Sequence, residues 1–186
     1  MTTASVVGAS GFTGGELLRI LDGHPEFDVV QATSRSSANK TVGHAHPNLR
    51  HLDLRFSDPA ELESVDVLFA ATPHGVSMDQ IDRFREAADR VVDLSADFRL
   101  DTEAEYDEWY DGHARPDLLA ESEYALPEIN RENLRDATLI ASGGCNATAT
   151  ILALKPLVDA GYVGDRTPVV DVKVGSSEGG TAGHVD

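Results

Sequence analysis

Short apolar runs alternate along this chain with stretches of helical spacing. Residues 4–7, 28–33, 65–71, 90–94 and 139–141 read as strands. The run 65–71 is apolar but for Asp66, close to what a strand covered on both faces of a parallel sheet shows. Between them, 16–21, 76–88 and 102–110 read as helices, with Gly23 and Pro25 stopping the first. Residues 38–50 are polar and read as loop, whereas 51–56 alternate like a half-buried strand. A helix that starts at Cys145 should bend or end at Pro156, and 168–174 read as a further strand. Alternation of this kind predicts an α/β fold: a Rossmann-type, doubly wound, mostly parallel sheet. The domain boundary is expected at Cys145, with a nucleotide-binding sheet over 1–144 and the start of an α+β substrate domain over 145–186. The glycine-rich loop 176–186 follows a strand and leads into no further element, so the chain reads as part of a longer protein.

The 186 residues are 41% apolar, enough for a real core. Acids outnumber lysines and arginines by 32 to 15, a net charge of −17. Such a surface repels nucleic acid and anionic lipid, so neither is expected as a partner. The acids are spread along the chain and do not form a tail. Mutual repulsion at this level is relieved where salt screens it, which points to a salt-adapted source. No run approaches the length of a membrane span, and the N-terminus lacks the basic and apolar regions of a signal peptide. A single cysteine excludes a disulfide framework and fits a reducing cytosol.

Three places carry candidate chemistry. Gly8-Ala-Ser10-Gly11-Phe12-Thr13-Gly14 lies between a strand and a helix. Its spacing departs by one residue from G-x-G-x-x-G, but glycines there let the backbone approach a pyrophosphate at a helix N-terminus, and Ser10 and Thr13 add hydroxyls. An ordinary strand–helix turn is the plainer alternative. Ser34-Arg35-Ser36 follows the second strand, where an NAD-selective fold would place an acid; an arginine between serines suits a 2′-phosphate and hence NADP(H). A polar loop is the alternative there. Cys145 follows two glycines and begins a helix. The macrodipole and backbone N–H groups at such a start favour thiolate over thiol, as a nucleophile needs; a small buried core residue is the alternative. His44, His46, His51, His74 and His184 lie in loops, where a lone histidine is usually only solvated, and His44-x-His46 lacks the further ligands of a metal site.

Together these motifs resemble the N-acetyl-γ-glutamyl-phosphate reductase family. The matching stretches run in order through nearly the whole chain: Gly8-Ala-Ser-Gly-Phe-Thr-Gly-Gly, Thr33-Ser-Arg-Ser, Pro73-His-Gly-Val-Ser, Asp93-Leu-Ser-Ala-Asp-Phe-Arg99, Tyr124-Ala-Leu-Pro-Glu and Gly144-Cys145. Ser142-Gly-Gly-Cys-Asn-Ala-Thr148 and Val172-Lys-Val-Gly-Ser-Ser-Glu-Gly-Gly180 are similar to the archaeal subgroup that reduces aminoadipyl or glutamyl phosphate held on a LysW-type amino-group carrier protein. The resemblance implies a cytosolic, homo-oligomeric NADPH-dependent enzyme of lysine and arginine synthesis. By position, Ser10, Gly11, Phe12 and Thr13 would hold the pyrophosphate, Ser34, Arg35 and Ser36 the 2′-phosphate, and Cys145 would form a thioester. The family's general-base histidine lies further along than this chain reaches.

The same chemistry on free N-acetylglutamyl phosphate is the near alternative. An aspartate-semialdehyde dehydrogenase and a non-catalytic NADP sensor are more distant ones. For a long carrier arm, Ala147, Gly179 and Gly180 would leave room. An acidic carrier would need a local basic patch, expected to include Lys173 or Arg99.

The charge excess makes its own prediction. Thermal midpoints of the full-length protein should rise through a sodium chloride series as repulsion is screened. A flat series would mark an acidic protein without salt adaptation.

Overall fold

The computed structural model describes residues 1–165, 167–175 and 177–178. They fall into two compact units that divide between Ser142 and Gly143.

The first unit is built on β1 (Thr2–Val7), α1 (Phe12–Asp22), β2 (Phe27–Thr33), the single turn α2 (Val42–Ala45), β3 (Phe56–Ser57), β4 (Val65–Ala70), α3 (Val76–Ala87), β5 (Ala88–Asp93), α4 (Glu103–Trp109), β6 (Glu123–Ala125), α5 (Pro127–Leu134) and β7 (Leu139–Ser142). The strands form one sheet in the order β3-β2-β1-β4-β5-β7-β6. Every strand pair in it is parallel. The order reverses between β1 and β4, the switch point outside which doubly wound folds bind ligands.

The sheet is covered on both faces, because successive residues of a strand point opposite ways. Val6 packs with Leu18 and Leu21 of α1 and with Ala32, Val42, Leu49 and Phe56. Its neighbour Val7 belongs to a second cluster with Leu68, Val91 and Leu139, Ile81 and Phe84 of α3, and Phe98, Tyr106, Leu118 and Leu119. The polar stretch read as loop contains α2 and a 3₁₀ turn at Pro47–Leu49. Val42 and Leu49 anchor it in the core at 0% and 2% exposure, two apolar positions too far apart to signal an element by periodicity.

Residues 51–56 keep their alternating burial, yet only Phe56–Ser57 joins the sheet, beside Ala32 and Thr33. The backbone before it is drawn into a local tie: Val42 N–H donates to Leu54 O and Phe56 N–H to Lys40 O. Between α4 and β7 the chain forms a 3₁₀ turn (Pro116–Glu121), β6 and α5, none of which its hydrophobic pattern predicts. Pro116 and Pro127 stand at the first positions of their helical turns, where a missing N–H costs nothing.

The second unit holds α6 (Cys145–Asp159), which continues one turn beyond Pro156 rather than ending there. The strand expected over 168–174 is absent, and Val169, Val170, Val172 and Val174 are exposed. A strand needs a neighbour to complete its ladder, and none pairs with this segment among the described residues, so its β-prone composition alone does not make it one.

The packing of α1 on its turn is testable by one methyl group. A Cβ at Gly14 would meet Ala9 Cα and Gly8 O, both at 2.6 Å, whereas Gly23 has nothing within 4 Å. Gly14→Ala should cost about 1–3 kcal/mol, measured by urea unfolding, and Gly23→Ala no more than about 0.5 kcal/mol.

Candidate active site

The glycine turn leaves β1 with Gly8 at φ +78°, a conformation that disfavours side chains. A Cβ there would also lie 2.3 Å from Ala71 O, on the segment leaving β4. Gly11 N–H closes the turn on Gly8 O at 3.1 Å, and Gly11 then stands as the N-cap of α1 with no side chain capping the helix. Gly11, Phe12 and Thr13 are exposed and Ser10 is half-buried. The result is an open helix N-terminus beneath a tight glycine turn, suited to an anionic group.

His46 is part of this support and is not a solvated loop histidine. Its Nε2 bonds Ala9 O at 2.8 Å, and its ring fills the place a Gly15 side chain would take. No group of His, Cys, Asp and Glu fit for a metal occurs among the described residues.

The β2 end meets this turn through hydroxyls. Ser10 Oγ and Ser34 Oγ are 2.7 Å apart, and Ser37 N–H donates to Ser34 Oγ at 3.1 Å. Ser34 is 2% exposed. Its hydroxyl thus ties two loops together, a different position from the surface contact the sequence suggested. Arg35 and Ser36 are exposed, and Arg35 has no partner among the described residues. A free guanidinium one residue from a hydroxyl pinned to the glycine turn suits the 2′-phosphate of NADP(H).

A third cluster went unread as site chemistry. Beyond β4, Thr72 Oγ lies 2.8 Å from Ser77 Oγ of α3. Ser77 donates to Asp93 Oδ1 at 2.6 Å, and Asp93 also accepts from Ser95 N–H and Ser95 Oγ. Asp97 accepts from Gly75 N–H and Met78 N–H at the start of α3. Asp93 and Asp97 are both 0% exposed. Burial pushes the Asp93 carboxyl above its usual range, against the hydrogen bonds from Ser77 and Ser95. The available signal was an acid and serines at the end of a buried apolar strand, where charge needs partners. His74 is exposed, and its Nδ1 accepts from Ala96 N–H at 3.0 Å.

In the second unit Cys145 is exposed and is the first residue of α6; Gly144 is the N-cap and supplies no side chain. The structure therefore sets aside the buried-core alternative for this residue. The thiol lies 3.9 Å from Asn146 Oδ1 and 3.8 Å from Glu178 Oε1, and Asn146 Nδ2 donates to the same Glu178 oxygen at 2.7 Å. The two basic residues named for a carrier patch each have partners within the described residues. Lys173 is paired with Asp171. Arg99 spends its Nε on Ser142 O and one terminal nitrogen on Leu94 O. Ser176, Gly179, Gly180 and His184 lie outside the described residues.

Residues 3–137 match the family model "Semialdehyde dehydrogenase, NAD binding domain", and 145–186 match "Semialdehyde dehydrogenase, dimerisation domain". The chain belongs to the semialdehyde dehydrogenase family. A relative from Haloarcula marismortui, named a LysW-L-2-aminoadipate/LysW-L-glutamate phosphate reductase, is 76% identical over 182 residues, 97% of this chain and 53% of its own length. One from Thermomicrobium roseum, named a LysW-L-2-aminoadipate 6-phosphate reductase, is 52% identical over 98% of this chain and 53% of its own length. The chain spans about half the length of these curated relatives. Among solved structures, aspartate semialdehyde dehydrogenase II from Vibrio cholerae shares the fold at TM-score 0.69 and 20% identity, covering 98% of this chain and 49% of that one. The Candida albicans enzyme, solved with NADP, does so at TM-score 0.60 and 20% identity, covering 87% of this chain and 48% of that one.

The Arg35 geometry predicts cofactor preference. In the full-length protein, Arg35→Asp should weaken NADPH by roughly ten- to a hundredfold, the size of a lost charged hydrogen bond, and leave NADH little changed. Fluorescence titration with both cofactors measures this, and equal losses would contradict it.

Proposed function

We propose that this chain is the nucleotide-binding and nucleophile-bearing part of an NADPH-dependent acyl-phosphate reductase. Its substrate is an aminoadipyl or glutamyl phosphate held on a LysW-type carrier protein, and its product the semialdehyde, for lysine or arginine synthesis in the cytosol. The observation that carries the reading is the exposed thiol of Cys145 at the uncapped start of α6, in a chain so similar to relatives named as phosphate reductases. A non-catalytic NADP sensor has no use for that thiol.

The glycine turn at Gly8, Ser10, Gly11, Phe12, Thr13 and Gly14 holds the pyrophosphate, and Arg35 with Ser36 holds the 2′-phosphate. The Cys145 thiolate attacks the acyl carbon; a C–S bond forms, the bond from that carbon to the bridging oxygen breaks, and inorganic phosphate leaves with that oxygen. NADPH, when bound, would supply the hydride that takes the thioester to the oxidation level of the aldehyde. The C–S bond then breaks and the thiolate is regenerated. The match of 145–186 to a dimerisation domain supports assembly of identical subunits. Among the described residues no helix is long and apolar enough to cross a membrane.

With full-length enzyme, Cys145→Ser should leave NADPH affinity within about twofold and reduce turnover by at least about a thousandfold, as loss of a covalent nucleophile does. Retained turnover would refute the covalent route. Carrier-linked glutamyl phosphate should give the higher kcat/KM in comparison with N-acetylglutamyl phosphate. The reverse order would replace the carrier reading with the free-substrate reductase.

A further inference from the structure

We propose that Thr72 is a cofactor-positioning residue whose hydroxyl is held as a hydrogen-bond acceptor, and that it receives a donor from the nicotinamide-riboside half of NADPH. This rests on the reading of the first unit as an NADPH site. The polarity is set from inside the protein. Ser77 has a single hydroxyl proton, and its Oγ lies 2.6 Å from Asp93 Oδ1. Asp93 Oδ1 also accepts from Ser95 N–H, so it is placed as an acceptor and the Ser77 proton is committed to it. The second oxygen of Asp93 is engaged in the same sense, with Ser95 Oγ donating to Oδ2 at 2.7 Å. Ser95 Oγ in turn accepts from Asp97 N–H. Ser77 therefore has only lone pairs left for Thr72, 2.8 Å away, and Thr72 must donate to it. The Thr72 hydroxyl keeps lone pairs and no proton for anything outside.

Its place makes that polarity useful. Thr72 is half-buried two residues beyond the carboxyl end of β4, the strand beside β1 at the switch point. A Cβ on Gly8 would lie within 3.6 Å of Thr72 N, so the segment flanks the glycine turn. Arg35 follows β2, on the other side of β1. With the 2′-phosphate on the β2 side and the pyrophosphate over the turn, the nicotinamide half extends over the β4 side. Its donors are the carboxamide NH₂ and the ribose hydroxyls, which a fixed acceptor would meet and a freely rotating hydroxyl would orient less well.

The test titrates full-length wild type, Thr72→Val and Thr72→Ser with NADPH and with 2′,5′-ADP, which carries the adenosine half only. Thr72→Val should weaken NADPH roughly five- to tenfold, the size of one lost hydrogen bond, and leave 2′,5′-ADP unchanged. Thr72→Ser, which keeps the hydroxyl, should restore NADPH binding. Equal weakening of both ligands would make Thr72 merely structural and overturn the inference. Unchanged NADPH affinity in Thr72→Val beside a wild type that binds tightly would overturn it while leaving the NADPH reading intact. A wild type that binds neither ligand would overturn both.

Discussion

Gly8 faces Ala71 across the gap where β1 and β4 part, and no side chain fits between them. That close approach is the constraint on which the rest of the first unit depends. Ala71 N–H bonds Val7 O at 2.9 Å, so the two strands stay paired up to the point where they separate. The chain must then turn away from β4 at once, and the positive φ of Gly8 makes the turn. Gly14 and Gly15 let α1 settle back onto Ala9 and the His46 ring, which points its open N-terminus along the crevice. A helix start suited to an anionic group is thus a consequence of backbone packing.

Charge is arranged on a second scale. The chain carries 32 acidic residues, yet the carboxylates that enter the core are individually matched: Asp93 to two serines and Asp97 to two backbone N–H groups. Several surface arginines are engaged by acids, as Arg115 is by Asp117 and Asp82, and such exposed pairs contribute little stability. Arg35 has no such partner among the described residues, as is also true of Lys40, Arg50 and Arg131. What sets it apart is its place, next to a serine tied to the glycine turn.

Much of the parallel sheet was legible in the chain because buried strands with apolar runs, 65–71 above all despite Asp66, leave a strong signal. The glycine turn was legible because its residues are dictated by backbone sterics. Elements held by single anchors were not: α2 rests on Val42, and the 3₁₀ turn before β6 on Leu118 and Leu119, none of which forms a periodic stripe. The 168–174 segment erred the other way, since its valines meet the preference of a strand but not its need for a neighbour. The helix start at Cys145 was legible through the glycines before it. The role of Ser34 as a tie, the commitment of Arg99 to carbonyls and the Thr72–Ser77–Asp93 chain were not, because each depends on residues that only the fold brings together.

The central claim is that the ends of β1, β2 and β4 form one NADPH site around the Gly8–Ala71 approach. Hydrogen–deuterium exchange on the full-length protein, with and without saturating NADPH, tests it most directly. The account predicts slowed exchange in three separate stretches, residues 8–15, 34–37 and 71–75, with little change at the opposite ends of the strands. NADPH binding with protection confined to other segments, or to only one of the three, would contradict it.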